Sequence, residues 1–195
     1  MSVYSLLALL ITGVIGVASP TDRGRYFLSR YIKLIFIVTV ITVFILSGYF
    51  TFKQYETWAN DPLAQFLLPP YQSLNYFISY SLIQFFAPYL ISLVVALLFL
   101  KVTLSLNRKS GEIFFEEEEP YLAATSIFLV GHPGWLIYVV ALIAVYLLLH
   151  TTYYLLQKKS ERLPLYYLWA PTAFFVILLN EYWLSTINWW QLLVI

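Results

Sequence analysis

The sequence predicts an all-α membrane protein: a single domain over residues 1–195, built as a polytopic bundle of about six transmembrane helices with its N-terminus outside. Three observations predict this class: the composition, the length of the apolar runs and the distribution of basic residues. The 195 residues are 61% hydrophobic and only 11% charged, whereas a soluble domain carries about 25% charged residues. A chain of this length cannot bury so much apolar surface inside one soluble globule.

The apolar runs locate the helices, because a helix that crosses a membrane needs roughly 20 mainly apolar residues. The first run lacks a preceding basic segment, so we interpret it as a retained helix rather than a signal peptide. The third run is long for one crossing, and Pro88 is expected to kink it. The predicted helices lie near residues 3–18, 31–52, 74–100, 121–130, 135–156 and 164–183.

Three shorter segments complete this layout. Residues 61–70 combine Leu and Phe with several Pro, which is typical of a short element lying at the membrane interface. The Gly-His-Pro-Gly sequence at 131–134 predicts a tight turn between the fourth and fifth helices. Residues 187–195 include two Trp and are expected to form an interfacial anchor.

The basic residues predict the orientation. Ten of the eleven Lys and Arg residues fall in the loops 19–33, 101–120 and 157–163, and only Lys53 falls on the other side. Because cytoplasmic loops are enriched in Lys and Arg, these three loops are expected to be cytoplasmic and the protein to lie in the cell (plasma or inner) membrane. This orientation requires 121–130 to cross although it is short. Either its flanks supply the missing length, or the bilayer is locally thinned.

The composition also excludes several kinds of chemistry. The chain has no Cys, so it can form neither disulfides nor thiolate sites. Its net charge of +1 implies no attraction to nucleic acid, and the expected partner is the lipid bilayer. No nucleophile motif, phosphate loop or His-metal spacing is present, so no cofactor or metal is predicted.

One acidic row stands out at the start of the fourth predicted helix: Glu116–Glu119 followed by Pro120. It has a structural interpretation, since acids in the first helical turn complement the helix dipole and Pro suits the first position. It also has a functional one, because the topology places the row and Asp22 at similar depth. Two carboxyls that share a site can act as an acid and a base, as in an aspartyl peptidase. A divalent cation bound by the row is a further alternative, although the spacing matches no defined loop.

Other polar residues give weaker indications. His150, Thr151 and Thr152 lie in the inner half of the fifth predicted helix, where intramembrane polar groups often mark a function such as transport. His132, in the turn, is expected on the outer side as an ordinary loop residue. Glu181 is expected to reach the outer interface beside Tyr182 and Trp183.

The segment from Ser110 to Ala124, followed by Gly134-Trp135, resembles the type IV prepilin peptidase family. That family has a Gly-Asp before a short apolar helix with a Leu-Ala-Ala-like stretch, then a Gly-rich turn. Aligning Leu122-Ala123-Ala124 with that stretch places Glu117 and Glu118 where the family has Gly-Asp. The sequence from Asp22 to Leu28 is similar to the motif that holds the family's other catalytic Asp. Leu163-Pro164-Leu165 is similar to the start of its last helix.

The resemblance implies an intramembrane aspartyl peptidase in which Asp22 and Glu118 form the catalytic pair, with Glu117 and Glu119 as alternates. The departures fall on that pair: Glu stands at both Gly-Asp positions, and Ser29 replaces a Pro. The longer Glu side chain would displace the pair, so the resemblance implies a catalytically degenerate relative linked to pilus or secretion assembly. Its partners would be other membrane proteins or a pilin-like helix. The alternatives are a non-enzymatic membrane scaffold or complex subunit, and a small membrane transporter.

Overall fold

The computed structural model describes residues 22–111, 115–116, 118–157, 165–191 and 193, with side chains from Arg30 onward except at 157, 189 and 191. Within these ranges the chain is helical and contains no β-strand. The predicted helix at 3–18, the basic residues 158–162 and Glu117 lie outside the described residues.

The first helix, α1, runs from Asp22 to Asn60 and contains the predicted helix 31–52. It continues past that range because the sequence from Phe52 to Asn60 contains no Gly or Pro, and it ends before Asp61-Pro62. One face is buried at helical spacing. The opposite face is apolar as well but exposed. The buried residues are Ile32, Phe36, Val43, Ser47 and, near the end of the helix, Trp58, and the exposed ones include Leu34, Ile41 and Ile45.

A second long helical unit follows in three parts: α2 (Leu74–Ser81), a π-helical turn (Leu82–Phe86) and α3 (Ala87–Lys109). The π turn ends two residues before Pro88, which has no N–H to donate to the carbonyl four residues earlier. The buried Ser47 hydroxyl of α1 lies 3.0 Å from the Val43 carbonyl oxygen and 3.2 Å from that of Phe85 in the π turn. The predicted helix 74–100 is therefore one unit that extends to Lys109.

Before this unit, the segment predicted to lie at the interface forms a short 3-10 helix, Ala64–Leu67. Asp61 starts it: its Oδ1 accepts hydrogen bonds from the main-chain N–H groups of Leu63 (2.7 Å) and Ala64 (2.9 Å). The segment also closes a small apolar cluster that is separate from the main core, made by Trp58, Leu68 and Phe77.

The short helix α4, Glu119–Val130, occupies the centre of the bundle and starts two residues before the predicted 121–130. All of its residues except Tyr121 are buried. It ends at Gly131, which takes the left-handed φ of 75° that favours glycine. It contacts α1, α3, α5 (Gly134–Gln157) and α6 (Trp169–Tyr182).

The region predicted as one helix at 164–183 is divided. A 3-10 turn, Leu165–Tyr167, precedes α6, and a second 3-10 turn, Leu184–Thr186, follows it. Pro171 explains the late start, because Pro is tolerated in the first turn of a helix and not inside it. The last described helix, α7, is Asn188–Gln191. It is held by Trp190 Nε1, which donates to Asn180 Oδ1 at 2.8 Å.

Hydrogen bonds tie both ends of α4 to α3. The His132 N–H donates to the Pro88 carbonyl (3.2 Å) at one end, and the Asn107 side chain binds the Phe115 main chain at the other. At 1.5 Å per residue, α3 covers about 28 Å between Pro88 and Asn107, whereas the 12 residues of α4 cover about 18 Å. The segments that flank α4 supply the rest of this length.

Three helical segments in the described ranges are long and apolar enough to cross a membrane: Arg30–Asn60, Leu74–Lys109 and Gly134–Leu156. Most of their surface is not buried inside the protein. Large apolar side chains such as Ile45, Val94 and Leu148 are more than half exposed. These properties support a protein embedded in a membrane, where lipid covers such surface.

Candidate functional site: the acidic start of α4

The chain that leads into α4 is fixed by Asn107, a buried residue near the end of α3. Its Nδ2 donates to the Phe115 carbonyl oxygen at 2.8 Å, and its Oδ1 accepts from the Phe115 N–H at 3.1 Å. One side-chain amide thus satisfies both main-chain groups of Phe115, as a neighbouring β-strand residue would. Asn107 was not among the residues predicted from the sequence. The available signal was a lone Asn two turns after Leu100, at the end of an apolar run.

Glu119 is the first residue of α4, ahead of the apolar segment 121–130, and is only 5% exposed. Its Oε2 accepts the main-chain N–H of Glu116 at 3.3 Å. Its carboxylate also accepts the main-chain N–H of Tyr166, in the 3-10 turn before α6. Glu119 therefore connects the loop before α4 to the start of α6, and we call this arrangement the Glu119 latch.

Burial raises the pKa of the Glu119 carboxyl to about 6. The two main-chain donors act in the opposite direction, since they favour the charged carboxylate. The negative charges of Glu116 and Glu118 raise the pKa further. Glu119 can therefore take up or release a proton close to neutral pH, while the latch holds it in one place.

The four acids of the row do not share one environment. Glu116 is exposed, whereas Glu118, at the N-cap of α4, is only 6% exposed. Two carboxyl groups of the row, those of Glu118 and Glu119, are enclosed by protein, since neighbouring helices surround the start of α4.

Asp22, the other half of the predicted pair, is the first residue of α1, and its side chain is outside the described part. Lys33 of α1 lies 5.7 Å from the ring centroid of Tyr121, and Phe44 lies 6.2 Å from Phe128. The two contacts follow the same order along both helices, so α1 and α4 are parallel where they touch.

This parallel packing gives the axial position of Asp22. Asp22 precedes Lys33 by about 16 Å along α1, and Glu118 precedes Tyr121 by about 4 Å along α4. Measured from the Lys33–Tyr121 contact, the main-chain positions of Asp22 and Glu118 are therefore offset by about 12 Å along the bundle axis. Pairing of Asp22 with Glu118 stays a prediction, and it requires a bend in α1 or a bridging group.

The remaining candidates lie apart from the latch. His150 stacks on Tyr146 with ring centroids 5.8 Å apart, and its Nδ1 is buried without a hydrogen-bond partner. The Thr152 hydroxyl donates to the Leu148 carbonyl of its own helix at 2.8 Å. His132 Nδ1 accepts from Trp135 Nε1 at 3.3 Å, which stabilises the turn. Glu181 is exposed, as expected for an interfacial anchor.

A metal site at the row has no support from the geometry. Among the described residues, no three His, Asp or Glu side chains are arranged so that they could hold a metal ion.

Comparison with known protein families, curated proteins and solved structures finds no match to this chain. The interpretation of the acidic row therefore depends on its own chemistry. A buried carboxyl near neutral pKa could serve as an acid or a base, but main-chain donors from two segments hold Glu119 in place. Such an arrangement stabilises the junction of α4 and α6.

Proposed function

We propose that this chain is a multi-pass membrane protein with the framework of a type IV prepilin peptidase that has lost peptidase activity. We infer that it serves pilus or secretion-system assembly by contact with a pilin-like helix or with other membrane proteins. The Glu119 latch is the observation that carries this proposal. A carboxylate that accepts two main-chain hydrogen bonds has a structural task, and these donors make it a weaker base than an equally buried carboxylate without them.

The geometry around Glu118 supports the same conclusion. An aspartyl-type pair needs two carboxyls close enough to share a proton, directly or through one water. The axial offset of about 12 Å between Asp22 and Glu118 exceeds that reach. Glu in place of Asp lengthens the side chain by one methylene, which is far less than the offset.

We further propose six crossings, with the acidic end of α4 at the cytoplasmic side. The distance of about 28 Å along α3 between Pro88 and Asn107 is close to the hydrocarbon thickness of a bilayer, about 30 Å. Because α4 and its flanks cover the same length, α4 can complete a crossing despite its short helix. Irregular main chain at membrane depth is tolerated where protein surrounds it, as it does at the buried Gly131 and Pro133 after α4. The basic loops 19–33, 101–120 and 157–163 then face the cytoplasm.

Cleavage of a pilin precursor tests the loss of activity. The chain would be co-expressed with candidate pilin precursors in cells that lack a prepilin peptidase, with an active peptidase as the positive control. We expect the precursors to stay uncleaved with the wild type and with the Asp22→Asn and Glu118→Gln variants. Cleavage by the wild type that either variant abolishes would contradict the proposal and restore the peptidase.

The absence of native Cys allows a clean test of orientation. Single-cysteine variants Ser110→Cys and Asn60→Cys would be treated in intact cells with a membrane-impermeant maleimide. We expect labelling at position 60 only, with position 110 labelled after lysis. Labelling of position 110 in intact cells would overturn the proposed topology.

A further inference from the structure

The face of α3 that points away from α4 is apolar at first and carries basic residues toward its end. Val94, Lys101 and Arg108 follow one another at intervals of seven residues, so they lie on one line along the helix. All three are exposed, and so are Leu97 and Leu98 beside them. The buried residues Ala96, Thr103 and Asn107 occupy the opposite side, which packs against α4 and its preceding loop.

Lys101 is a charged residue on the side of Asn107 where α3 is apolar. It precedes Asn107 by about 9 Å along the helix axis, on the side toward the apolar part of α3. Asn107 marks the level of the acidic row because it binds Phe115. An ammonium group at this depth is costly in hydrocarbon unless it reaches an anion or the interface. The Lys101 side chain can extend toward Arg108, about 10 Å away along the same line.

Neither basic group, Lys101 or Arg108, has an acidic partner among the described residues. The buried acids Glu118 and Glu119 belong to α4, on the Asn107 side of α3. The surface thus combines two cations with an adjoining apolar strip, which complements a lipid with an anionic phosphate and acyl chains.

We propose that this face of α3 binds an anionic phospholipid. Its phosphate lies between Lys101 and Arg108, where the exposed Ser105 hydroxyl is in line to donate a hydrogen bond. Its acyl chains lie along Val94, Leu97 and Leu98. The inference rests on the membrane placement proposed above and does not depend on the loss of peptidase activity.

Native mass spectrometry of the purified full-length protein tests the site. The protein would be reconstituted in nanodiscs with equal amounts of phosphatidylglycerol and phosphatidylcholine, and the lipids that remain bound would be counted. A basic residue near a membrane contributes about a fivefold preference for an anionic lipid. We therefore expect about a tenfold or greater preference for phosphatidylglycerol, which falls close to one in the Lys101→Gln/Arg108→Gln variant.

Lys53→Gln is the matched control, since it removes one positive charge beyond the Ser47–Phe85 contact, at the opposite end of the bundle from Arg108. It should keep the preference, whereas Arg108→Gln alone should lower it about fivefold and covers the case in which the double variant fails to fold. Equal lipid binding by wild type and double variant would overturn the proposal. An equal loss in Lys53→Gln would do so too, as would displacement of the lipid by inorganic phosphate. The cysteine labelling separately tests the placement on which the site depends.

Discussion

Two carboxylates at different places in the chain accept the same kind of hydrogen bonds, but their pKa values shift in opposite directions. Asp61 accepts two main-chain N–H groups at the start of the 3-10 helix, and these donors lower its pKa. Glu119 also accepts two main-chain N–H groups, yet its pKa rises to about 6. The difference is burial, because Asp61 is exposed to solvent and Glu119 is enclosed by helices.

The comparison shows what the acidic row contributes to the fold. At Asp61, the charge is stabilised by donors and water together. At Glu119, the donors replace water, and they only partly offset the loss of solvation. The start of α4 is thus a polar junction inside the protein, and it depends on complete hydrogen bonding. We expect substitutions there to have larger effects than similar substitutions near Asp61.

Loss of the Asn107 side chain should have the largest effect. Asn107→Ala removes two hydrogen bonds and leaves the Phe115 main chain without these partners, so we expect a loss of about 2–4 kcal/mol in the free energy of unfolding. Denaturant unfolding in detergent micelles would measure it. Asn60→Ala is the matched control, since the Asn60 amide donates only to the exposed Glu56 carbonyl of its own helix. A loss of more than about 1 kcal/mol in the free energy of unfolding of the control would contradict the expected difference between the two regions.

Glu119→Gln should change the pH dependence of stability. Because the folded-state pKa is raised, the folded protein binds more protons than the unfolded chain between about pH 4.5 and 6. Wild-type stability should therefore fall as pH rises through this window, by up to about 2 kcal/mol. Glutamine keeps an acceptor for both N–H groups but carries no charge, so the variant should not show this loss. Unfolding curves at pH 5 and 7.5 would measure it, and identical pH dependence in both proteins would contradict a buried carboxylate.

Asp61→Ala should have the smallest effect. The pKa of Asp61 is lowered, so its contribution is present above pH 4 and is lost as pH falls through the folded-state pKa. We expect faster hydrogen exchange at the Leu63 and Ala64 amides in the variant at pH 7, with global stability nearly unchanged. If exchange at these two amides is the same as in the wild type, Asp61 does not cap the 3-10 helix.

Much of the helical layout could be predicted from the sequence because apolar runs and Pro positions act locally. The turn at 131–134 and the helices near 121–130 and 135–156 appear within two residues of their predicted ends. The extension of α1 to Asn60 was missed, since residues 54–60 mix polar and apolar side chains and end the apolar run but still allow a helix. The break before α6 was missed because an apolar run does not show where a helix gives way to a 3-10 turn.

The site was only partly predictable. The acidic row was recognised by composition, and Pro120 correctly indicated a helix start. The burial of Glu118 and Glu119 could not be predicted, since it depends on α6 and α3 meeting the start of α4 from distant parts of the chain. The role of Asn107 was missed for the same reason: its partner Phe115 lies across a loop.

Titration of the Glu119 carboxyl gives the sharpest test of a buried junction at the start of α4. Infrared difference spectra of wild type and Glu119→Gln, recorded from pH 4 to 8, isolate the carbonyl band of this one protonated carboxyl. We expect a band that disappears with a midpoint of about pH 6 and is missing in the variant. A midpoint at or below the ordinary Glu value of about 4.3 would contradict it, because the acidic start of α4 would then be a solvated surface rather than a buried junction.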